Sequence, residues 1–142
     1  DSAKKAFAAL EAAKTAAGNP ASLKWEKVAS LKELMQQVPL VNSRLKRNMR
    51  RFERQADSIA MDAAVIAAIA QGSMANVDET TQPNKADEWF KYCVAMRDAA
   101  SAVNKAAKAK NAAEAEKAVA VLAESCDTCH VVFHPEAIGK TE

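Results

Sequence analysis

The sequence predicts an all-α protein, because its composition suits helices and its apolar residues recur at helical spacing. The 142 residues include only 3 Gly and 4 Pro, and aromatic residues, which favour strands, make up 5%. With 49% hydrophobic residues, a chain of this length can close one core. We therefore expect a single domain over residues 1–142, built as an antiparallel four-helix bundle with one extra helix.

The extra helix is predicted at the N-terminus, before the first helix of the bundle. Residues 1–20 are rich in Ala and Lys and end with Gly18 and Pro20, which are typical of the end of a helix. The bundle itself is expected over residues 22–134, with Ser22 as the N-cap of its first helix. Apolar residues then recur in steps of three and four, at Leu31, Leu34, Met35, Val38, Val41, Leu45, Met49 and Phe52.

Three further helices follow. The second bundle helix is predicted to begin near residues 50–51, where no Gly or Pro marks the boundary, and to end at Gly72. Residues 73–85 predict a connecting loop, residues 86–109 a third helix, and Asn111 the N-cap of the last. The positions expected to face the core are Ile59, Ala63, Ile66 and Ala70, then Trp89, Tyr92, Cys93, Met96, Ala100 and Val103, then Ala115, Val119, Leu122, Cys126, Cys129 and Phe133.

Charge and hydropathy argue against several classes of partner. The 20 basic and 18 acidic side chains leave a formal charge of +2, too small to attract nucleic acid strongly. No uninterrupted apolar run approaches the roughly 20 residues that cross a bilayer, so we expect a soluble chain without a membrane span. The chain begins at Asp1 without an initiator Met, which fits a secretion signal that has been removed.

One motif carries specific chemistry, the sequence Cys-Asp-Thr-Cys-His at residues 126–130. On a helix, positions i, i+3 and i+4 share one face, so two thiols can reach the two vinyl groups of a haem while the imidazole meets the iron. The motif therefore predicts one covalent haem c on Cys126 and Cys129, with His130 as the proximal iron ligand.

Three other interpretations of the two cysteines stay open. A zinc site would need a second pair of ligands, but the only other thiol and imidazole belong to Cys93 and His134. A thioredoxin-like redox pair would lie at the start of a helix after a strand, whereas these residues are predicted near the end of a helix. The third interpretation is two structural cysteines with a coincidental spacing.

The chain resembles the cytochrome c′ family, including its low-spin relatives of the c-556 type, over roughly residues 23–133. The matching segments are residues 34–35 in the first bundle helix, residues 96–100 in the third, and residues 126–130 with Phe133 three positions later. The resemblance implies a four-helix bundle with the haem near the C-terminal end of the last helix, a periplasmic location and a homodimer. A basic residue common in the family is replaced here by His134.

The topology and the resemblance together select the residues around the iron. In an up-down-up-down bundle the end of the last helix lies beside the start of the first, the end of the second and the start of the third. The resemblance further implies Met35 as the sixth ligand, although a Met at this spacing is ordinarily core filler. The candidate haem neighbours are Leu31, Leu34, Met35, Ile66, Ile69, Trp89, Tyr92, Cys93 and Phe133.

Two functions follow from the two possible roles of Met35. A six-coordinate iron would transfer single electrons with a redox partner protein, while a five-coordinate, high-spin iron would bind or scavenge NO or CO. We expect no enzymatic turnover, because no nucleophile and base stand near the motif. Cys93 is expected to be buried. A cationic stripe is either a solvated helix face or a docking patch for an acidic redox partner, and it consists of Arg44, Lys46, Arg47, Arg50, Arg51 and Arg54.

Overall fold

The fold is an all-helical bundle, seen in a computed structural model that describes residues 26–137. Its helices are α1 (Leu31–Met49), α2 (Phe52–Gly72), α3 (Ala86–Lys108) and α4 (Ala112–Phe133), and no strand occurs among the described residues. The helices pack in sequence order, α1 on α2, α2 on α3 and α3 on α4, whereas α1 and α4 lack such an extensive close approach of their backbones. The all-α prediction is confirmed. The helix predicted within residues 1–20 lies outside the described residues.

Most predicted boundaries are also confirmed. The chain turns from α1 into α2 at Arg50 and Arg51, and α2 ends at Gly72. Asn111 caps α4, since its side chain accepts a hydrogen bond from the backbone N–H of Glu114 at 3.1 Å. The preceding turn needs a left-handed residue, and Lys110 supplies it with a φ of 54°.

The predicted start of the first bundle helix is wrong. Residues 26–30 are not helical, so α1 begins at Leu31 and does not extend back to Ser22. Ser30 is the N-cap, because its hydroxyl accepts from the N–H of Glu33 at 3.2 Å while the Glu33 carboxylate accepts from the N–H of Ser30 at 3.1 Å. This reciprocal capping box satisfies two N–H groups that a helix start otherwise leaves unpaired.

The loop predicted between α2 and α3 contains local structure. Two 3-10 turns occupy it, Ser73–Ala75 and Val77–Glu79. Asn76 lies between these turns with its side chain fully buried, and its Nδ2 donates to the carbonyl of Ala29 at 3.0 Å. The connection therefore closes the end of the bundle and contacts the residues that precede α1.

Glu79 links this connection to the start of α1 by hydrogen bonds. Its carboxylate accepts from the backbone N–H of Leu31 at 2.8 Å and from the ammonium of Lys27 at 2.9 Å. The bonds from Lys27, Leu31 and Asn76 lower the pKa of Glu79 to about 2. An ionised Glu79 thus stabilises both the connection and the N-terminus of α1.

The core has two apolar clusters. The larger fills the centre of the bundle and the end at which α1 turns into α2, and its members include Leu45, Ile59, Ile66, Val103 and Leu122. The smaller lies at the opposite end, where α4 finishes, and its buried members are Met74, Trp89, Cys93 and Phe133. The motif of residues 126–130 lies at this second end, four to eight residues beyond Leu122.

Helix α2 with the turn after it, Phe52–Ala75, is long and apolar enough on average to cross a membrane, with a mean hydropathy of 1.4. Half of its most apolar window is buried in the bundle, and the core helix of a soluble protein passes the same test. This segment also carries Asp62, which is 2% exposed and paired with Arg44. Length and hydropathy alone are therefore weak evidence for a membrane span.

Candidate functional site

The candidate site is the C-terminal part of α4. Cys126, Cys129 and His130 all lie inside this helix, and all three are half-buried. Both thiols are free of disulfide bonds. A helix turns 100° per residue, so the three side chains project within an arc of about 100°. The structure thus brings together on one face the three residues that the motif predicted.

Burial controls the protonation of these groups. It raises the pKa of Cys129 to about 12, helped by the neighbouring Cys126, and it raises the pKa of Cys126 as well. Burial also lowers the pKa of His130, aided by His134 and opposed by Asp127. At neutral pH the site consequently offers two protonated thiols and an uncharged imidazole, which is the form of histidine that binds a metal.

An aromatic cluster borders the site. Phe133 lies edge to face with Trp89, with ring centroids 5.1 Å apart, and with Tyr92 at 5.9 Å. The indole Nε1 of Trp89 donates to the carbonyl of Ser73 at 2.9 Å, so its one polar atom is satisfied inside the cluster. Cys129 packs against the same cluster. The motif therefore has an apolar wall built from α3 and α4.

The other predicted haem neighbours divide into four groups, one of which is Ile69 alone, buried on α2 but in neither apolar cluster. Leu31 packs on the aromatic cluster with Tyr92 and the buried Cys93. Leu34 is half-buried near Gly72, at the same end of the bundle. Ile66 belongs instead to the larger central cluster, because its position on α2 is a turn and a half before the helix ends.

Met35 is half-buried and belongs to neither cluster. Its level along the bundle follows from the bond between Arg44 on α1 and Asp62 on α2, at 2.8 Å. Met35 is nine residues before Arg44, and Gln71 is nine residues after Asp62. Because antiparallel helices rise by the same 1.5 Å per residue, Met35 and Gln71 lie at one level.

Two further contacts relate this level to the motif. The side chain of Asn104 on α3 donates a hydrogen bond to the carbonyl of Ala60 on α2 at 2.6 Å, so these two residues lie at one level. Gln71 follows Ala60 by as many residues as Cys93 precedes Asn104, so Gln71 and Cys93 are level as well. Cys93 is one turn after Trp89 and Cys129 one turn before Phe133, so Cys93 and Cys129 are level too. Met35 thus lies at the level of the motif along the bundle axis.

His134 lies next to the motif. It is exposed immediately after α4, and its ring centroid is 6.0 Å from that of His130. The two imidazoles therefore lie on the same side of the helix end. The backbone N–H of His134 donates to the carbonyl of His130 at 2.9 Å and closes the last turn.

Several residues of the aromatic cluster were not predicted. The connection after α2 contributes Met74 and Val77, which pack on the cluster although the sequence there is mostly polar. The three-residue spacing of these two apolar side chains is a weak signal that could have indicated a turn with one buried face. Phe90, Val94 and Val132 complete the set.

The described residues contain no other arrangement that competes with the motif. Among residues 26–137, no three His, Cys, Asp or Glu side chains are grouped closely enough to hold a metal ion. An open groove of about 470 Å³ lies between α3 and α4 at the opposite end of the bundle, lined by Lys105, Asn111, Glu114 and Lys117 among others. Comparison with protein-family models, with characterised proteins and with solved structures gave no match to this chain.

Proposed function

We propose that the protein is a monohaem c-type cytochrome that transfers single electrons, with haem c attached through Cys126 and Cys129. One observation carries this proposal: two free thiols and a half-buried imidazole share the face of α4 that borders an aromatic cluster. When bound, the haem supplies an iron that alternates between the ferric and ferrous states. The proposal places the protein in the periplasm as a homodimer, as the family resemblance implies.

The donor set fits such a group in both chemistry and placement. Thioether formation requires reduced thiols, and Cys126 and Cys129 are reduced and half-exposed. The uncharged His130 imidazole is the appropriate proximal ligand. Helices α1 and α4 lack the close backbone approach seen between the other neighbours, so the motif lies beside the least tightly packed seam of the bundle.

The residues around the motif would tune the potential of the iron and exclude water. Trp89, Tyr92 and Phe133 form a largely apolar wall, in which the Trp89 Nε1 is already bonded to the carbonyl of Ser73 in the connection after α2. An apolar environment disfavours the more highly charged ferric form and therefore raises the reduction potential. The same wall fixes the orientation of α4, and hence of His130, during a change of oxidation state.

Met35 is the proposed sixth ligand. Its level on α1 matches that of Cys129 on α4, and its side chain is half-buried without joining either apolar cluster. A thioether ligand would raise the reduction potential and leave no open position on the iron, which favours electron transfer over binding of NO or CO.

Absorption spectra of the ferric and ferrous protein, recorded before and after addition of CO, test this proposal. We expect a low-spin spectrum that CO does not change. Met35→Leu conserves volume and removes the sulfur, so it should produce a high-spin spectrum that responds to CO. Met49→Leu is the matched control, because Met49 packs on the central cluster at the far end of α1, and its spectrum should equal that of the wild type.

The opposite results separate the alternatives. A high-spin wild-type protein that binds CO would replace electron transfer with binding of diatomic gases. A low-spin spectrum that persists in Met35→Leu would assign the sixth position to another residue. A protein without visible absorption would end the proposal for both functions.

A further inference from the structure

The charges of the bundle are segregated along its axis, although its overall charge is near zero. A plane across the bundle at the level of Arg44 and Asp62 divides the described residues into two parts. The contact of Asn104 with Ala60 shows where this plane crosses α3, and the contact of Trp89 with Phe133 shows where it crosses α4.

The part that contains the motif is acidic. It comprises residues 26–43, 63–102 and 119–137, with ten Asp or Glu side chains and five Lys or Arg side chains, a net charge of −5. The other part comprises residues 44–62 and 103–118, with ten basic and five acidic side chains, a net charge of +5. The charges of the two parts cancel over the described residues, and the chain's formal charge of +2 comes from residues outside this range.

The acidic character is strongest around the motif itself. Residues 119–137 contain no Lys or Arg, and they carry the exposed acids Glu124, Asp127 and Glu136. No salt bridge involves these three carboxylates among the described residues. Val131, beside His130, is 61% exposed. An apolar centre with a charged rim is the usual composition of a protein docking surface.

Arg50, Arg51 and Arg54, the far part of the cationic stripe, lie at the opposite end. Lys46 does not, since its charge acts on Cys126 and opposes the rise in the pKa of that thiol. Arg50 and Arg51 form the turn between α1 and α2, level with the start of α4, and Cys129 is 17 residues further along α4. That separation is about 25 Å along the axis. A partner docked on this far part of the stripe would therefore be a bundle's length from the motif, which argues against Arg50, Arg51 and Arg54 as the surface for electron exchange.

We propose that the acidic end of the bundle is the docking surface for a redox protein with a basic face. This inference rests on the proposed function, because it identifies the partner of the same haem site. The surface consists of Glu124, Asp127, Val131 and Glu136, next to His130. Opposite charges would speed the encounter and turn the acidic end towards the partner.

The test uses the haem-loaded full chain and two inert redox complexes of opposite charge, tris(phenanthroline)cobalt(III) and hexacyanoferrate(III). Raising the salt concentration from about 0.01 M to about 0.1 M shortens the Debye length from about 30 Å to about 10 Å. We expect the rate at which the cationic complex oxidises the ferrous protein to fall by about two- to tenfold, and the rate of oxidation by the anionic complex to rise. The two propionates of a ferrous haem offset the chain's formal charge of +2, so the net charge acting as a whole predicts little salt dependence for either complex.

Paired variants locate the effect. Glu124→Gln combined with Glu136→Gln should weaken the salt dependence for the cationic complex. Arg50→Gln combined with Arg54→Gln removes two charges at the far end of the bundle and should leave the salt dependence for the cationic complex unchanged. A coloured protein whose rate with the cationic complex is constant or rises with salt would overturn this inference while leaving the proposed function intact.

A second readout needs no electron transfer. In spectra of the ¹⁵N-labelled full chain titrated with octalysine, we expect shifts within residues 119–137 and none within residues 44–54. A colourless protein would reject the proposed function, and the titration would still decide whether this end binds a basic partner. Shifts that are absent, or confined to residues 44–54, would overturn the inference.

Discussion

Trp89 on α3 and Phe133 on α4 lie edge to face, with ring centroids 5.1 Å apart and planes inclined by 69°. Phe133 is the last residue of α4 and follows His130 by three positions. The Trp89 indole is also bonded to the carbonyl of Ser73 at the end of α2. One aromatic pair therefore holds the motif-bearing end of α4 against two other elements of the bundle.

Removing this pair should destabilise the fold. Phe133→Ala deletes a ring that is 4% exposed, and we expect the free energy of unfolding in denaturant to fall by about 3–5 kcal/mol. Val131→Ala is the matched control two residues away, where a side chain 61% exposed should contribute less than about 0.5 kcal/mol. Equal losses in the two variants would show that the Phe133 ring does not hold the end of α4.

The pair of Arg44 and Asp62 supports the opposite half of the bundle. The Asp62 side chain is 3% exposed and accepts from the Nε of Arg44 at 2.8 Å and from a terminal nitrogen at 2.5 Å. Arg44→Ala would leave a buried carboxylate with only the side chain of Asn48, 3.5 Å away. We expect the free energy of unfolding to fall, because the buried Asp62 carboxylate would lose its cation.

Two further variants test that explanation. Arg47→Ala removes a neighbouring exposed arginine and should change stability by less than about 0.5 kcal/mol. Replacing both partners, Arg44→Met with Asp62→Leu, should recover most of the loss, because no charge is left buried. A double variant as unstable as Arg44→Ala alone would contradict an electrostatic origin.

Glu79 should make the stability depend on pH. Its pKa is about 2 in the folded protein against an ordinary value of 4.5, so its contribution is complete above about pH 4.5 and is lost as the pH falls towards 2. Glu79→Gln should therefore lower the thermal midpoint at pH 7, with a difference from the wild type that shrinks through this range. Glu136→Gln, which removes an exposed charge after α4, is the control. A constant difference between pH 7 and pH 2 would exclude this linkage.

Cys93 should be the single free thiol of the haem-loaded protein. Burial raises its pKa to about 12, so very little reactive thiolate is present near neutral pH. We expect a thiol reagent to find no reactive group in the native protein and one per chain after denaturation, since Cys126 and Cys129 are consumed by thioether bonds. Three thiols in the denatured protein would contradict the attachment, and rapid labelling of the native protein would contradict the burial.

Much of the fold could be predicted because local signals mark the helix ends. Gly72 and Asn111 stop and start helices where the sequence indicated, and the apolar positions of α2 are buried as expected. The start of α1 was misplaced because Ser22 and Ser30 are both suitable N-caps. Only Ser30 is followed three residues later by Glu33, which completes the capping box.

Contacts between distant residues were the part that local signals could not supply. Asn76 is buried because it bonds to Ala29, 47 residues earlier, and nothing in the polar sequence around it indicates that contact. The motif itself was visible from spacing alone. Its acidic surroundings depend on the register of four helices, which the bonds of Arg44 and Asn104 reveal only in the folded chain.

The covalent attachment of haem is tested by the intact mass of the protein, purified from a host that matures c-type cytochromes and measured after denaturation. We expect the mass of the polypeptide plus one haem, and we expect the visible absorbance of the haem to remain with the chain after denaturation. Cys126→Ser combined with Cys129→Ser should lose both signals, whereas the matched variant Cys93→Ser should keep them. A native protein with the mass of the bare polypeptide and no colour would contradict the account.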